Sequence, residues 1–365
     1  MKRIIILLFL LPLFISTAFA EPLPDEAAEL FGADAAEEAL SDEARSITGR
    51  LRTDGGYDVQ GSLARLWKSF VDSAMNAMRS ELNVCLELIA VGVVFNLAMT
   101  MCTSAGIKPF VNICACAAVA GVLVGNLEGA VQQTVNALNS MSDYSRAAMP
   151  VLFTAAAACG RAGSSAAKYA AVSIAIDVMM SAARNAVIPL VYAYIAVTLS
   201  NCLFSNALLS NFAKAVKWLA ITVMTGMTIA FTAYINLTGL ISGSVDAAAL
   251  RTAKTLISTV LPVVGGIASD ASSAVLAAAG VVKNSVGVFG LVAVAALCAG
   301  PFAVMSVKLL LLKAAGAVTD MLPYGGVSRL IWDIGSAVSI LLGLLGCCGI
   351  MLFISTMAGI KAVNI

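Results

Sequence analysis

Apolar residues along this chain gather into six blocks of membrane length, at 84–104, 107–127, 186–205, 218–238, 286–312 and 337–359. An α-helix rises about 1.5 Å per residue, so each block can cross a hydrocarbon layer about 30 Å thick. A helix also pairs its own backbone groups where lipid offers no partner. The pattern predicts an all-α, polytopic membrane protein with six transmembrane helices, seven or eight being the alternatives.

The chain before the first block has three parts. Met1-Lys2-Arg3 is basic, Ile4 to Ile15 is apolar, and Ala18-Phe19-Ala20 precedes Glu21. This is the layout of a cleavable signal peptide over 1–20. An acidic extracytoplasmic segment follows over 21–60. Its first part, 21–43, holds nine acidic residues and no basic one, and reads as a mobile stretch or a weak helix. Thr53-Asp54-Gly55-Gly56 reads as a turn. Over 61–83, Leu63, Leu66, Trp67, Phe70, Val71, Ala74 and Met78 recur at spacings of three and four, with Arg65, Lys68, Asp72 and Arg79 between them. This predicts an amphipathic helix with Ser62 as its N-cap. It either lies in the membrane interface or packs on a partner or on the chain's own helices.

A signal peptide sets the orientation. With the mature N-terminus outside, the turn at Ile107-Lys108-Pro109, the loop with Lys214 and Lys217, and the loop from Lys313 to Asp333 with Arg329 are all cytoplasmic. These loops carry the basic residues that the cytoplasmic side favours. Both termini then lie outside.

The spans group as a first pair over 84–127, a broken segment plus a pair over 147–241, and a second such unit over 246–360. Residues 147–184 and 246–285 are apolar but interrupted, by Met149-Pro150 and Gly160 to Ser165 in one and by Leu261-Pro262, Gly265-Gly266 and Asp270 in the other. Their apolar pieces look too short to span, which predicts re-entrant, interfacial or buried segments. The two units share a layout: a Pro, a Ser-Ser-Ala step, an Asn (Asn185 or Asn284), a basic loop, a Trp (Trp218 or Trp332) and a closing Gly. Paired interrupted segments point to transporter and pore sites. The other reading is coincidence in a chain rich in small residues. Pro262, Gly265, Gly266, Asp270, Lys283 and Asn284 are therefore the candidate pore or assembly residues, in a segment either buried in protein or lying flat on the membrane.

Composition narrows the chemistry. Hydrophobic residues make up 60% of the chain and charged ones only 12%, with a net charge of +1. Nucleic-acid binding has no support, because no basic stripe with interleaved aromatics exists. There is no histidine, which removes His-based catalysis and most zinc sites. No enzyme motif is found, so no catalytic residue, metal or cofactor is expected. The nine cysteines all lie in or beside apolar runs and read as small packing residues. A redox or metal role for Cys114-x-Cys116 or Cys347-Cys348 is the alternative, though neither spacing fits a ligand pattern. Asp177 is the main candidate for a buried acid, Glu87 reads as interfacial, and Lys308 reads as snorkelling from its helix end. Gly121, Gly125 and Gly129 share one helix face, as do Gly343, Gly346 and Gly349. Such faces let helices approach closely, within the chain or between copies of it in a homo-oligomer.

The stretches LPVVGGIASDASSAVLAAAGVVKNSVGVFGL at 261–291 and RLIWDIGSAVSILLGLLGCCGIMLFIS at 329–355, with the signal peptide and multi-pass layout, resemble the stage III sporulation protein AE family of endospore-forming bacteria. The likeness covers roughly 84–360. It implies a multi-pass subunit of a transenvelope channel complex linking mother cell and forespore, placed in the outer forespore membrane with its N-terminus in the intermembrane space. Implied partners are membrane lipid, other stage III A-operon proteins including a cytoplasmic ATPase and ring-forming subunits, and indirectly a forespore-side protein. The rival reading from the residues is a self-contained small-molecule permease.

Overall fold

The computed structural model describes residues 37–49, 58–102, 104, 106–156, 162–204, 206–260 and 265–361. Within these, the backbone alone is described for 59, 152–156, 162–170, 236, 238–260, 265–286 and 358–361. The expected signal peptide, the turn at 53–56, Cys159 and Pro262 lie outside the described residues.

Among the described residues the fold is helical with no strand: α1 (Asp42–Thr48), α2 (Val59–Met101), α3 (Lys108–Ala156), α4 (Ala162–Ala182), a π-helical turn (Ala183–Val187), α5 (Ile188–Phe204), α6 (Ala207–Val260), α7 (Gly265–Asp320) and α8 (Gly326–Lys361). Six of the helical stretches are long and apolar enough to cross a membrane. They run alternately up and down. The tight connections 102–107, 205–206 and 321–325 share one end, while the start of α2 and the end of α8 share the other. Reporter fusions after Gly56 and after Ile365 should therefore give the same compartment signal. Opposite signals would require an odd number of crossings.

Local chemistry explains several boundaries. The Asp58 side chain accepts from the Gly61 N–H at 2.8 Å and caps α2. Ser62 is therefore not the cap. It sits buried in the first turn, donating to the Thr48 carbonyl at 3.1 Å. The Asn206 side chain caps α6 by accepting from Leu208 N–H at 2.9 Å. Pro189 has no N–H, so the chain leading into α5 cannot keep its α-type bond there, and the π turn at 183–187 precedes it.

Two sequence expectations change. The amphipathic stretch 61–83 is not a separate interfacial helix, because α2 runs unbroken for 43 residues through the first span. The stretches 147–184 and 246–285 are not short pieces either. α3 continues through Pro150 to Ala156, α4, the π turn and α5 form one rod from Ala162 to Phe204, and α6 and α7 run 54 and 56 residues. At about 1.5 Å per residue the longest helices reach about 65–85 Å, more than twice the hydrocarbon thickness.

The exposed faces show where lipid ends. On α3 they are apolar at Phe110, Ile113 and Val124, then polar at Gln132, Asn136, Asp143 and Arg146. On α2, Leu82, Leu86, Val93, Val94 and Leu97 lie exposed toward the tight-turn end, while Lys68, Asp72, Asn76 and Arg79 lie exposed on the other side of that level. Exposed polar residues thus become frequent about 20 residues from the tight-turn end, near the 30 Å of a hydrocarbon core, with Trp67, Met75 and Met78 of α2 still exposed among them.

The core is the α7–α8 pair. Of their most apolar windows 83% and 72% are enclosed, against 28–33% in the other four spans. Their apolarity therefore reflects burial among helices as well as lipid. α1 is pinned on the outer part of this core. Leu40, Ala44 and Ile47 are buried, Arg65 donates to the Ile47 carbonyl at 3.0 Å, and Ser69 donates to Glu43 at 3.0 Å.

Candidate functional site

Of the candidate pore or assembly residues, Pro262 lies outside the described residues and the others are described by their backbone alone. Gly265 opens α7, and Gly266, Asp270, Lys283 and Asn284 follow on the same unbroken helix. Asp270 and Lys283 stand 13 residues apart on this helix, about 20 Å along its axis. Asn185 lies in the π turn, and Asn284 lies inside α7.

The two glycine faces separate. A Cβ on Gly121, Gly125 or Gly129 would meet nothing within 4 Å, so among the described residues no helix packs closely there. On α8, a Cβ on Gly343 would come 3.0 Å from Met224 Cε, and one on Gly349 2.9 Å from Cys298 Sγ. Gly346 is buried between them. α8 thus uses its small residues to approach α6 on one side and α7 on another.

Asp177 sits on a wet face, 43% exposed and 3.1 Å from Arg146. Glu87 is exposed on α2. Lys308 does not snorkel. It is 5% exposed, and its ammonium lies 3.0 Å from Glu81 Oε1. It also donates to Asn126 Oδ1 at 3.0 Å and to the Asn126 carbonyl at 3.1 Å. Asn126 Nδ2 donates in turn to Glu81 Oε2 at 2.8 Å. Three helices, α2, α3 and α7, each contribute one member. The ammonium has three protons and three acceptors. Each carboxylate oxygen has a donor. The arrangement is a closed lock rather than an open proton site, and it sits at the level where α2 and α3 change from apolar to polar faces. Nothing in the local sequence pairs these residues, which lie 45 and 182 positions apart.

Beyond the lock lies an open cleft of about 410 Å³, lined by Glu43 of α1, Gln132, Asn136 and Ser140 of α3, and Leu297 and Pro301 of α7. Pro301 lacks an N–H, so the Leu297 carbonyl loses its helical donor in the wall of this cleft. Lock and cleft together form a polar seam among α1, α2, α3 and α7.

The cysteines also depart from a pure packing role. Cys116 of α3 and Cys202 of α5 form a disulfide, with 6.1 Å between their Cα atoms. Cys298, Cys347 and Cys348 are buried, and Cys114 is exposed.

The stage III sporulation protein AE family matches residues 53–362. The chain belongs to this family. A stage III sporulation protein AE of Bacillus subtilis (strain 168) is 24% identical over 236 residues, covering 65% of this chain and 59% of that protein. The aligned part thus spans less than two thirds of the relative. No solved structure matches the chain. As a stage III sporulation protein AE family member it is a multi-pass membrane protein connected with sporulation.

Proposed function

We propose that the chain is a membrane subunit of the sporulation transenvelope complex that links mother cell and forespore, and that forespore development requires it. The observation that carries this reading is the height of the bundle. Six helical stretches are long and apolar enough to cross a membrane, several of them are far longer than a hydrocarbon core, and a polar cleft opens between them away from the tight turns. A subunit that has to meet proteins in the space between two membranes needs such a projecting surface. Basic residues stand toward both ends, Lys108, Lys214, Lys217, Lys313 and Arg329 at the tight turns and Arg65, Lys68, Arg79, Arg146 and Arg184 at the other, so the placement of the tight-turn end in the mother-cell cytoplasm rests on the signal peptide expected from the sequence. The projecting end, with both termini, then faces the intermembrane space. The partners on this reading are the other stage III A-operon proteins, with the cytoplasmic ATPase at the tight-turn end and the ring-forming subunits at the projecting end.

The test is affinity purification of the tagged chain from sporulating cells after mild detergent extraction, beside a count of spores in a strain lacking it. Recovery of other stage III A-operon proteins and loss of heat-resistant spores are the expected results. Normal spore numbers without the chain would overturn the proposal.

A further inference from the structure

A second cavity, of about 320 Å³, opens at the tight-turn end among α3, α5, α6 and α8. Its size is that of a small-molecule site. Asn112, Asn201 and Ser210 make its walls polar, and Arg329 and Asp333 of α8 give it one charge of each sign. These two stand one turn apart on the same helix, with Cβ atoms about 5–6 Å from each other. A net-neutral wall of this kind suits a ligand that carries an ammonium and a carboxylate together.

The Cys116–Cys202 disulfide borders this space on one side only. Cys202 is half-buried and stands in the cavity wall, whereas Cys116 does not line it and is 1% exposed. Cys116 lies one turn farther into α3 than Asn112, which does line the cavity. A molecule entering the cavity therefore meets the bond at Cys202. On the orientation proposed above, this end faces the mother-cell cytoplasm, where thiols are kept reduced and protein disulfides persist only by exchange.

We propose that the tight-turn cavity is a thiol–disulfide exchange site for a zwitterionic low-molecular-weight thiol of the amino-acid or short-peptide class. The inference rests on the cytoplasmic placement of this end. Arg329 holds the carboxylate of the small thiol and Asp333 its ammonium group. Its thiolate attacks Cys202 Sγ. A new S–S bond forms there, the Cys116–Cys202 bond breaks, and Cys116 leaves as a thiolate that takes a proton from water. A second small thiol attacks the sulfur of the bound one and releases Cys202 as a thiol. Two small thiols become one small disulfide, and the protein bond becomes two thiols. The reverse sequence, with the small disulfide as oxidant, remakes the bond. Opening it unties α5 from α3 beside the cavity, so the joint between these helices follows the thiol state of the compartment.

The test uses the full chain purified in mild detergent under air. Cysteine is added, the reaction is quenched with acid, and peptides are mapped by mass spectrometry. The expected product has the cysteinyl adduct on Cys202 and a free thiol at Cys116. Rates with cysteine and with uncharged 2-mercaptoethanol are each divided by the rate of the same thiol on an uncharged reference disulfide peptide. Cysteine should be favoured about fivefold, the upper range for one exposed ion pair. Arg329→Gln combined with Asp333→Asn should bring the two thiols to parity. The 2-mercaptoethanol rate should stay unchanged, which shows that the variant keeps its fold. Absence of the bond in the air-purified chain overturns the proposal. So does an adduct on Cys116, parity in the parent chain, or a preference that survives the double replacement. In sporulating cells, acid quenching and maleimide tagging should find the pair as thiols that convert to the bond when diamide is added. Failure to convert overturns the site. A pair already bonded before diamide, with exchange intact in the purified chain, overturns the cytoplasmic placement and leaves the exchange site standing.

Discussion

Replacing Lys308 with Met is expected to destabilise the chain by about 3–5 kcal/mol, because Glu81 is left as an unpaired carboxylate in an enclosed place. Glu81 is only 12% exposed and Lys308 6%, so water cannot take over from the missing partner. Asn126 also loses the donor to its carbonyl. The double replacement Glu81→Leu with Lys308→Met should recover most of the loss, since a packed apolar pair removes the buried charge altogether. Thermal unfolding of purified protein in detergent, followed by circular dichroism, reads both effects. A Lys308→Met variant as stable as the parent would show that the ammonium is solvated and that the three-helix lock does not form. The design also separates stability from function. If the double variant folds but spores fail, the lock matters for movement between helices rather than for holding them.

The second large effect is expected at Gly349. A Cβ there would already stand 2.9 Å from Cys298 Sγ on α7, and Leu adds three further carbons between two packed helices. Overpacking of this kind costs about 1–3 kcal/mol or more where backbones cannot part. Gly349→Leu should therefore lower the amount of folded protein in the membrane. Gly125→Leu is the matched control. Its face is open within the chain, and Leu is a better helix former than Gly by somewhat under 1 kcal/mol. The isolated chain should tolerate it or gain slightly. Loss of partner recovery with intact stability would mark the Gly121/Gly125/Gly129 face as a contact with another chain. Wild-type sporulation would mark it as lipid-facing. A Gly349→Leu variant with unchanged protein level would contradict the close α7–α8 approach.

The crossings were legible in the sequence because hydropathy is a local property. Each span contains its own signal, and an even number follows from counting. Helix length was not legible. Residues 128–156 carry Gln132, Gln133, Asn136, Asn139 and Arg146 among apolar positions. A membrane-length reading ends the span at 127 and takes the apolar run as broken only from 147, whereas one helix continues from Lys108 to Ala156 with this mixed composition in it. Conversely, the apolar stretch of α7 near Gly290 reads as pure membrane. There Tyr144 of α3 donates to the Gly290 carbonyl at 3.5 Å, and a Cβ on Gly290 would meet Thr356 of α8 at 3.1 Å. That apolarity belongs to enclosure by other helices. The buried role of Lys308 is hidden for the same reason: from one helix alone a lysine near the end of an apolar run looks free to snorkel, and only the packing of α2 and α3 brings Glu81 and Asn126 to it. The Cys116–Cys202 bond joins residues 86 positions apart and likewise leaves no local trace.

The most direct test is whether the long helices leave the membrane on the side away from the tight turns. Single cysteines are placed at Gln132, Asn136 and Asp143, and at Ile113 and Val124, in a variant lacking the native cysteines. Sporulating cells are then treated, after opening of the outer compartment, with a membrane-impermeant thiol reagent. Labelling at Gln132, Asn136 and Asp143 with protection at Ile113 and Val124 is the expected result. Protection at all five positions, or labelling from the cytoplasmic side only, would contradict a bundle that projects into the space between the two membranes.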